Sequence, residues 1–186
     1  MSTMKKQVFP VKRLVMDAML IAIYVVLGMF RIQIGNALRI NIAPFAVILC
    51  ALTFGPVDGL IVGFMAEFLT QILGPYGLTP TTLLWCVGET ARGLLLGLCA
   101  MGLKRWNFSG MKLVVITVIC CVVTGIVSAF GNTLAVYVDS KMFGYYSYEI
   151  VFGVLAVRLA MYTAVSAVMG YISMPIMKAL QKSKLI

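Results

Sequence analysis

Long apolar runs alternate along the chain with short segments rich in glycine, proline and charge, and this pattern predicts six helices. The predicted helices span residues 13–32, 42–54, 57–73, 81–103, 112–136 and 151–177. The second and third are shorter than the about 20 residues that cross a hydrocarbon core of about 30 Å. They flank the segment 55–59 (GPVDG), which is a strong turn signal.

The composition identifies the solvent of these helices. Of the 186 residues, 62% are hydrophobic and only 11% are charged, and the mean hydropathy is +1.03. Soluble domains are roughly a quarter charged, so this chain has too few charges to cover a water-facing surface. We therefore predict an all-α integral membrane protein in which residues 1–186 form a single domain.

Basic residues set the number of spans and their orientation. Ten of the 15 lysines and arginines lie before the first helix, between the fourth and fifth, or after the sixth: Lys5, Lys6, Lys12, Arg13, Lys104, Arg105, Lys112, Lys178, Lys182 and Lys184. Lysine and arginine are retained on the cytoplasmic side, and six spans place all ten there. If 42–73 were one kinked span, the 104–112 cluster would lie outside. We predict six transmembrane helices with both termini cytoplasmic, and we do not interpret the +9 net charge as a sign of a nucleic-acid partner.

Ionisable side chains within spans are the candidates for function, because each costs about 2.5–3.5 kcal/mol on insertion scales. Trp85, Glu89 and Arg92 are spaced by four and three, so they share one helix face. Residues from the other predicted helices and from segments 35–41 and 74–80, which six spans place on the outer side, complete the set. The candidate binding residues are Arg39, Glu67, Tyr76, Trp85, Glu89, Arg92, Asn132 and Arg158.

This set indicates an anionic, planar ligand. Positive residues in the outer half outnumber negative ones, with Arg31, Arg39, Arg92 and Arg158 against Glu67 and Glu89. Aromatic rings, arginines and a carboxylate in one pocket suit a flat heteroaromatic ligand that bears a carboxylate. In the alternative, structural interpretation, Glu89 and Arg92 neutralise each other, or Glu67 pairs with Arg158, and the outer tyrosines form an interfacial belt.

Several kinds of site are excluded or disfavoured. The chain has no histidine, and its five cysteines lie in apolar runs without metal-ligand spacing. No phosphate-binding loop of the ATPase type is present. We expect no catalytic residue, metal or cofactor. Asp17 and Asp58 are expected to be structural, with Asp17 paired to Arg13 and Asp58 in a cytoplasmic turn.

Several segments together resemble a known family. They are 18–22 (AMLIA), 38–42 (LRINI), 54–60 (FGPVDGL), 77–85 (GLTPTTLLW), 91–98 (ARGLLLGL) and 132–152. Over nearly its whole length the chain resembles the substrate-binding S components of energy-coupling factor (ECF) vitamin transporters, and most of all the folate-type branch. It departs from that pattern at Glu89, where a less polar residue is expected.

The resemblance implies a function and partners. The chain would lie in the bacterial cytoplasmic membrane, bind its vitamin from outside and deliver it inside by toppling in the bilayer. Energy would come from two ATP-binding subunits through a transmembrane coupling subunit, which would dock on Ala18 and Ala22. Other vitamins, such as riboflavin or pantothenate, remain alternatives.

Two other classes of protein share this helix count. An intramembrane enzyme of lipid metabolism would be expected to carry histidine or aspartate clusters for metal ions, and the outer half has neither a histidine nor a carboxylate pair at helical spacing. A membrane scaffold would not require the polar face formed by Trp85, Glu89 and Arg92.

Overall fold

The fold is seen in a computed structural model that describes residues 11–30, 32–34, 38–74, 77–106 and 110–182. Within these ranges, six α-helices lie where the sequence predicts them: α1 (Val11–Met29), α2 (Pro44–Phe54), α3 (Pro56–Ile72), α4 (Thr82–Arg105), α5 (Met111–Met142) and α6 (Leu155–Lys182). A π-helical turn, Glu149–Gly153, precedes α6. The largest shift of a single boundary is at the end of α5, which continues to Met142 and not only to residue 136.

A short hairpin between α1 and α2 was not predicted. Strands β1 (Ile32–Ile34) and β2 (Leu38–Ile40) pair antiparallel, with Gln33 opposite Arg39. Apolar and polar residues alternate in both strands, which is the signal for a β-strand. The predicted all-α class is therefore correct for the helices, but the described residues also contain this two-stranded hairpin.

Two separate helices, not one kinked span, occupy 42–73. Gly55 has φ 108°, a conformation that favours glycine, and Pro56 begins α3. A Cβ atom on Gly59 would lie 3.0 Å from the Cβ of Ala51. Eight residues of continuous helix would separate these positions by about 12 Å, so α3 folds back against α2.

Glycines bring the backbones of α3 and α4 into contact. A Cβ atom on Gly59 would lie 2.5 Å from the carbonyl oxygen of Gly93, and one on Gly63 would lie 2.6 Å from that of Glu89. Small residues permit such close approach of membrane helices. Because the α3 position rises by four as the α4 position falls by four, the helices are antiparallel, and Glu67 comes to the level of Trp85.

Helix α2 lies at the centre of the packing. Its residues from Ala46 to Thr53 are all buried. On one side, α2 packs with α1 and α3 in a hydrophobic core that includes Tyr24 and Val62. On the other side, it packs with α4 and α6 in a second core that includes Leu96 and Met169. A helix shorter than a bilayer is tolerated where other protein elements cover its ends.

The outer surface of the bundle is apolar. Val26, Ile119, Phe130 and Val168 are each more than half exposed. Among the described residues, α4, α5 and the Leu155–Met177 part of α6 are long and apolar enough to cross a membrane, and Pro44–Phe54 is a shorter apolar helix. That all six helices cross the membrane remains a prediction.

Basic side chains close one end of the bundle. Arg13 forms an ion pair with Asp58 and donates from Nη2 to the carbonyl oxygen of Phe54 at 2.8 Å. Lys104 donates to the carbonyl oxygen of Thr53 at 3.3 Å. Both bonds satisfy carbonyl groups left free at the end of α2. The first turn of α1 and the last turn of α4, which carry basic residues predicted to be cytoplasmic, thus meet at the α2–α3 turn.

The expected pairing of Arg13 with Asp17 is wrong. Arg13 pairs with Asp58, a fully buried residue in the first turn of α3. Asp17 faces α2 instead and accepts a hydrogen bond from the Cys50 thiol at 3.6 Å. The four-residue spacing permits an intrahelical pair, but the packing of α1 on the α2–α3 turn offers Arg13 a carboxylate on another helix.

Candidate functional site

A buried ion pair on α4 forms the centre of the candidate site. Glu89 is 4% exposed and Arg92 is 2% exposed. Arg92 Nη1 lies 3.4 Å from each carboxylate oxygen of Glu89. Charge-assisted N–H···O bonds are usually about 2.7–2.9 Å long, so this pair is loosely held. The structural interpretation, in which Glu89 and Arg92 neutralise each other, is therefore only partly correct, because the pair forms but both of its bonds are long.

Two serines connect the ion pair to α5 and α6. Ser128 on α5 donates to Glu89 Oε1 at 2.8 Å, and Arg92 Nη2 donates to Ser166 Oγ on α6 at 2.9 Å. The absence of a side chain at Gly125 leaves room for this bond, since a Cβ atom there would lie 2.3 Å from Ser166 Oγ. The guanidinium of Arg92 also lies over the ring of Tyr162, 5.9 Å from its centroid.

Arg92 retains donor capacity. A guanidinium has five N–H donors. In the described part of the chain, Nη2 makes one bond of ordinary length, Nη1 makes two long ones, and the buried Nε has no partner. Unmet donors in a buried cation favour an acceptor of negative charge.

A second carboxylate lies near this pair. Glu67 on α3 accepts hydrogen bonds from Tyr24 of α1 at 2.5 Å and from Gln71 at 2.7 Å. It follows Gly63 by one helical turn, and Gly63 contacts the backbone of Glu89. The site therefore contains two carboxylates on neighbouring helices.

Polar residues on α5 and α6 extend the cluster. Asn132 donates from Nδ2 to the hydroxyl of Tyr162 at 2.6 Å, and Arg158 donates to Thr133 Oγ1 at 3.2 Å. Within the described ranges, no carboxylate lies within 4 Å of the Arg158 guanidinium. Arg158 is thus available as a second positive charge.

A small cavity of about 30 Å³ adjoins Arg92. It is lined by Asn41, Pro44, Arg92, Met161, Tyr162, Val165 and Ser166. Ligand pockets usually have volumes of about 300–1,000 Å³, so a vitamin-sized ligand requires side chains around this cavity to move. A larger groove of about 240 Å³ between α3 and α4 has an apolar lining that includes Phe64, Leu83 and Val87, and it offers no charged group to a polar ligand.

The structure brings most of the predicted residues to the interior. Glu67, Glu89, Arg92, Asn132 and Arg158 all take part in the polar contacts described above. Trp85 is half-buried one turn before Glu89 and does not line the small cavity. Arg39 lies in β2 with its side chain outside the described part of the structure, and Tyr76 lies outside the described residues.

Sequence reasoning missed Tyr24, Ser128 and Ser166. Each is almost completely buried in an apolar helix. A polar residue at a core position is itself a signal, because buried polar groups require partners. The chain contains many such positions, however, and only the packing of the helices selects among them. No three His, Cys, Asp or Glu side chains come together as a metal site in the described ranges.

The two predicted docking residues lie on the surface. Ala18 and Ala22 are both exposed on α1, whereas Asp17, Leu20 and Tyr24 of the same helix are buried. The side chains of Val15, Met19, Ile23 and Val26 on α1 are also exposed. This face of α1 is therefore available to lipid or to another protein.

Known proteins share both the sequence pattern and the fold. Residues 8–182 match the family described as the S component of ECF-type riboflavin transporters. No curated protein matches the chain. A solved structure described as the S component of a bacterial ECF transporter has 19% identity and a TM-score of 0.57, covering 92% of this chain and 94% of its own. An S component for biotin has 16% identity and a TM-score of 0.62, covering 98% and 95%. At these identities the two structures show the fold, and the family match covers nearly the whole sequence: the chain belongs to the family of ECF-type riboflavin transporter S components.

Proposed function

We propose that the polar cluster around Arg92 binds a flat heteroaromatic vitamin, folate or a related pterin-containing compound, for import across the cytoplasmic membrane. The observation that carries the proposal is the state of Arg92. This residue is buried inside an apolar bundle, its ion pair is long, and its Nε has no partner in the described part of the chain. A ligand carboxylate that enters the small cavity supplies the missing acceptor.

Arg92 suits this role better than a lysine would. Its planar fork forms two parallel bonds to a carboxylate, and it stays charged when desolvated. Ser166 and Tyr162 line the same cavity and hold the guanidinium from α6. Arg158, at the outer part of α6, provides a second cation for a ligand with two carboxylates.

Carboxylates of the site suit the ring edge of the same ligand. A pterin ring presents amino and N–H donors, which Glu67 or Glu89 accept. Trp85 lies on the same face of α4 one turn before Glu89 and offers a half-buried ring for stacking. In this arrangement the carboxylate end of the ligand contacts Arg92, and the ring edge at the other end contacts Glu67 or Glu89.

Riboflavin is the second candidate, because the matching family is described by that vitamin. Its ring is also flat and has an N–H edge, but it carries no carboxylate. A riboflavin site would use the carboxylates and Trp85 and would depend less on Arg92. Biotin, which the second solved structure is described as binding, has a carboxylate but no extended aromatic ring.

The transport cycle requires partners. We propose that the exposed face of α1 at Ala18 and Ala22 docks on a transmembrane coupling subunit, and that two ATP-binding subunits supply energy through it. Both termini would be cytoplasmic, as the positions of the lysines and arginines predict. The chain itself would act as a binding protein and not as an enzyme.

A titration of the purified chain tests this proposal. Folate, riboflavin and biotin are titrated separately while intrinsic tryptophan fluorescence is recorded, and bound small molecules from gently purified protein are identified by mass spectrometry. Saturable binding of folate, tighter than that of the other two, is expected. Tighter riboflavin binding would replace folate with the second candidate, whereas no binding of any vitamin would contradict the proposed function.

A further inference from the structure

A hydrogen bond joins the candidate site to the helix that carries the proposed docking face. Tyr24 on α1 is 1% exposed, and its hydroxyl donates to Glu67 Oε2 on α3 at 2.5 Å. Phenol–carboxylate bonds are charge-assisted and therefore among the stronger hydrogen bonds. Both side chains are buried, so breaking this bond would leave a buried polar group without its partner.

The position of Tyr24 on α1 shows how this bond relates to the proposed docking face. The buried residues of α1 are Asp17, Leu20, Tyr24 and Gly28, while Ala18 and Ala22 face outward. Near the outer end of the helix, a Cβ atom on Gly28 would lie 3.2 Å from the Thr70 methyl group on α3. The Tyr24–Glu67 bond and the Gly28–Thr70 contact thus pack this half of α1 directly against α3.

Glu67 also belongs to the binding site. The contact of Gly63 with Glu89 places Glu67 one turn further along α3, at the level of Trp85. Each carboxylate oxygen of Glu67 already accepts one bond, from Tyr24 and from Gln71.

We propose that Tyr24 is a positioning residue that couples vitamin binding to the docking face of α1. A ligand N–H group that approaches Glu67 competes with or reorients the Tyr24 hydroxyl, which shifts α1 and with it Ala18 and Ala22. The coupling subunit thereby distinguishes the loaded chain from the empty one. This inference rests on the proposed function, since it requires that the site binds a vitamin.

The test measures the affinity of the chain for its coupling subunit with and without saturating vitamin. The vitamin is whichever of folate, riboflavin and biotin binds the wild-type chain most tightly. In the wild type, vitamin is expected to change this affinity by at least about fivefold, the lower range of allosteric coupling. Tyr24→Phe, which removes only the hydroxyl, is expected to reduce the change to less than about twofold.

Two controls separate coupling from general loosening of the fold. Tyr171→Phe removes a phenol hydroxyl from an exposed position on α6, and Cys50→Ala removes the α1–α2 bond to Asp17, away from the site. Both variants are expected to keep the wild-type change. If Cys50→Ala loses it as Tyr24→Phe does, α1 packing in general is responsible and the specific role of Tyr24 is overturned.

The outcomes also distinguish this inference from the proposed function. If the wild type binds vitamin but its docking affinity does not respond, or if Tyr24→Phe keeps the full response, the inference fails and the proposed function stands. If the wild type binds no vitamin, both fail. If Tyr24→Phe does not fold, amide hydrogen exchange of residues 18–28 is measured in the wild type with and without vitamin. Vitamin is expected to change that exchange, and an unchanged pattern would overturn the inference.

Discussion

A Cβ atom placed on Gly93 would lie 2.0 Å from the carbonyl oxygen of Gly59. This separation is shorter than real Cβ contacts allow, so α3 and α4 touch backbone to backbone at this point. The contact fixes the register of the two helices and, one turn further at Gly63 and Glu89, the position of the carboxylates of the candidate site. The glycines thus determine both packing and site geometry.

Substitution of Gly93 tests this relationship. Gly93→Ala is expected to destabilise the protein and to lower the midpoint of thermal unfolding in detergent, because overpacking of a close contact costs about 1–3 kcal/mol. The matched control is Gly102→Ala on the same helix, where nothing lies within 4 Å of the added methyl group. There the better helix propensity of alanine is expected to leave stability equal or raised. Equal midpoints for Gly93→Ala and the wild type would contradict the packing.

The proposed docking face of α1 gives a second prediction. Ala18→Trp and Ala22→Trp place large side chains where docking on a coupling subunit would require close helix approach. Both are expected to abolish vitamin uptake by cells while the isolated chain still binds vitamin, because both positions are exposed. Ala164→Trp, at an exposed alanine on α6, serves as the control and is expected to retain uptake. Loss of vitamin binding by folded Ala18→Trp would show that this face lines the pocket.

Topology is the third prediction. Six spans with both termini inside put residue 108, between α4 and α5, in the cytoplasm, on the same side as the end of the bundle closed by Arg13 and Lys104. Reporter fusions at position 108 are expected to show cytoplasmic activity, and fusions at position 144 the opposite. An external signal at position 108 would refute the six-span count.

Sequence alone predicted the helices well because each depends on local signals. Apolar runs, the Gly55–Pro56 turn and the basic clusters defined all six. The predicted pairing of Arg13 with Asp17 was wrong because it depends on a contact between helices. Residue spacing identifies partners within one helix, whereas Asp58 lies on another helix. The same limit hid Tyr24 and Ser166, since their roles appear only when the register of neighbouring helices is known. Pairs of small residues at four-residue spacing mark places where helices can approach closely. The sequence has too many such pairs, however, to identify Gly59 and Gly63 as the residues that contact α4.

Arg92 is the residue proposed to bind the carboxylate of the vitamin. A charge-assisted bond in a desolvated site contributes about 1.5–3 kcal/mol, so Arg92→Ala is expected to weaken folate binding roughly ten- to a hundredfold. Arg92→Lys should recover only part of this loss, because an ammonium group cannot form the fork. Arg92→Ala would leave Glu89 buried without its partner, so the same substitution is also made in a Glu89→Gln background. Because Glu89 is itself a proposed acceptor for the ring edge, the reference for this double variant is Glu89→Gln alone.

Folate is titrated by tryptophan fluorescence quenching in parallel on the wild type, Arg92→Ala, Arg92→Lys, Glu89→Gln and the double variant. Tight binding is expected for the wild type and intermediate binding for Arg92→Lys. A loss of roughly tenfold or more is expected for Arg92→Ala relative to the wild type, and for the double variant relative to Glu89→Gln. Folate binding to folded Arg92→Ala with wild-type affinity would contradict the role proposed for Arg92 and would leave it as the structural partner of Glu89.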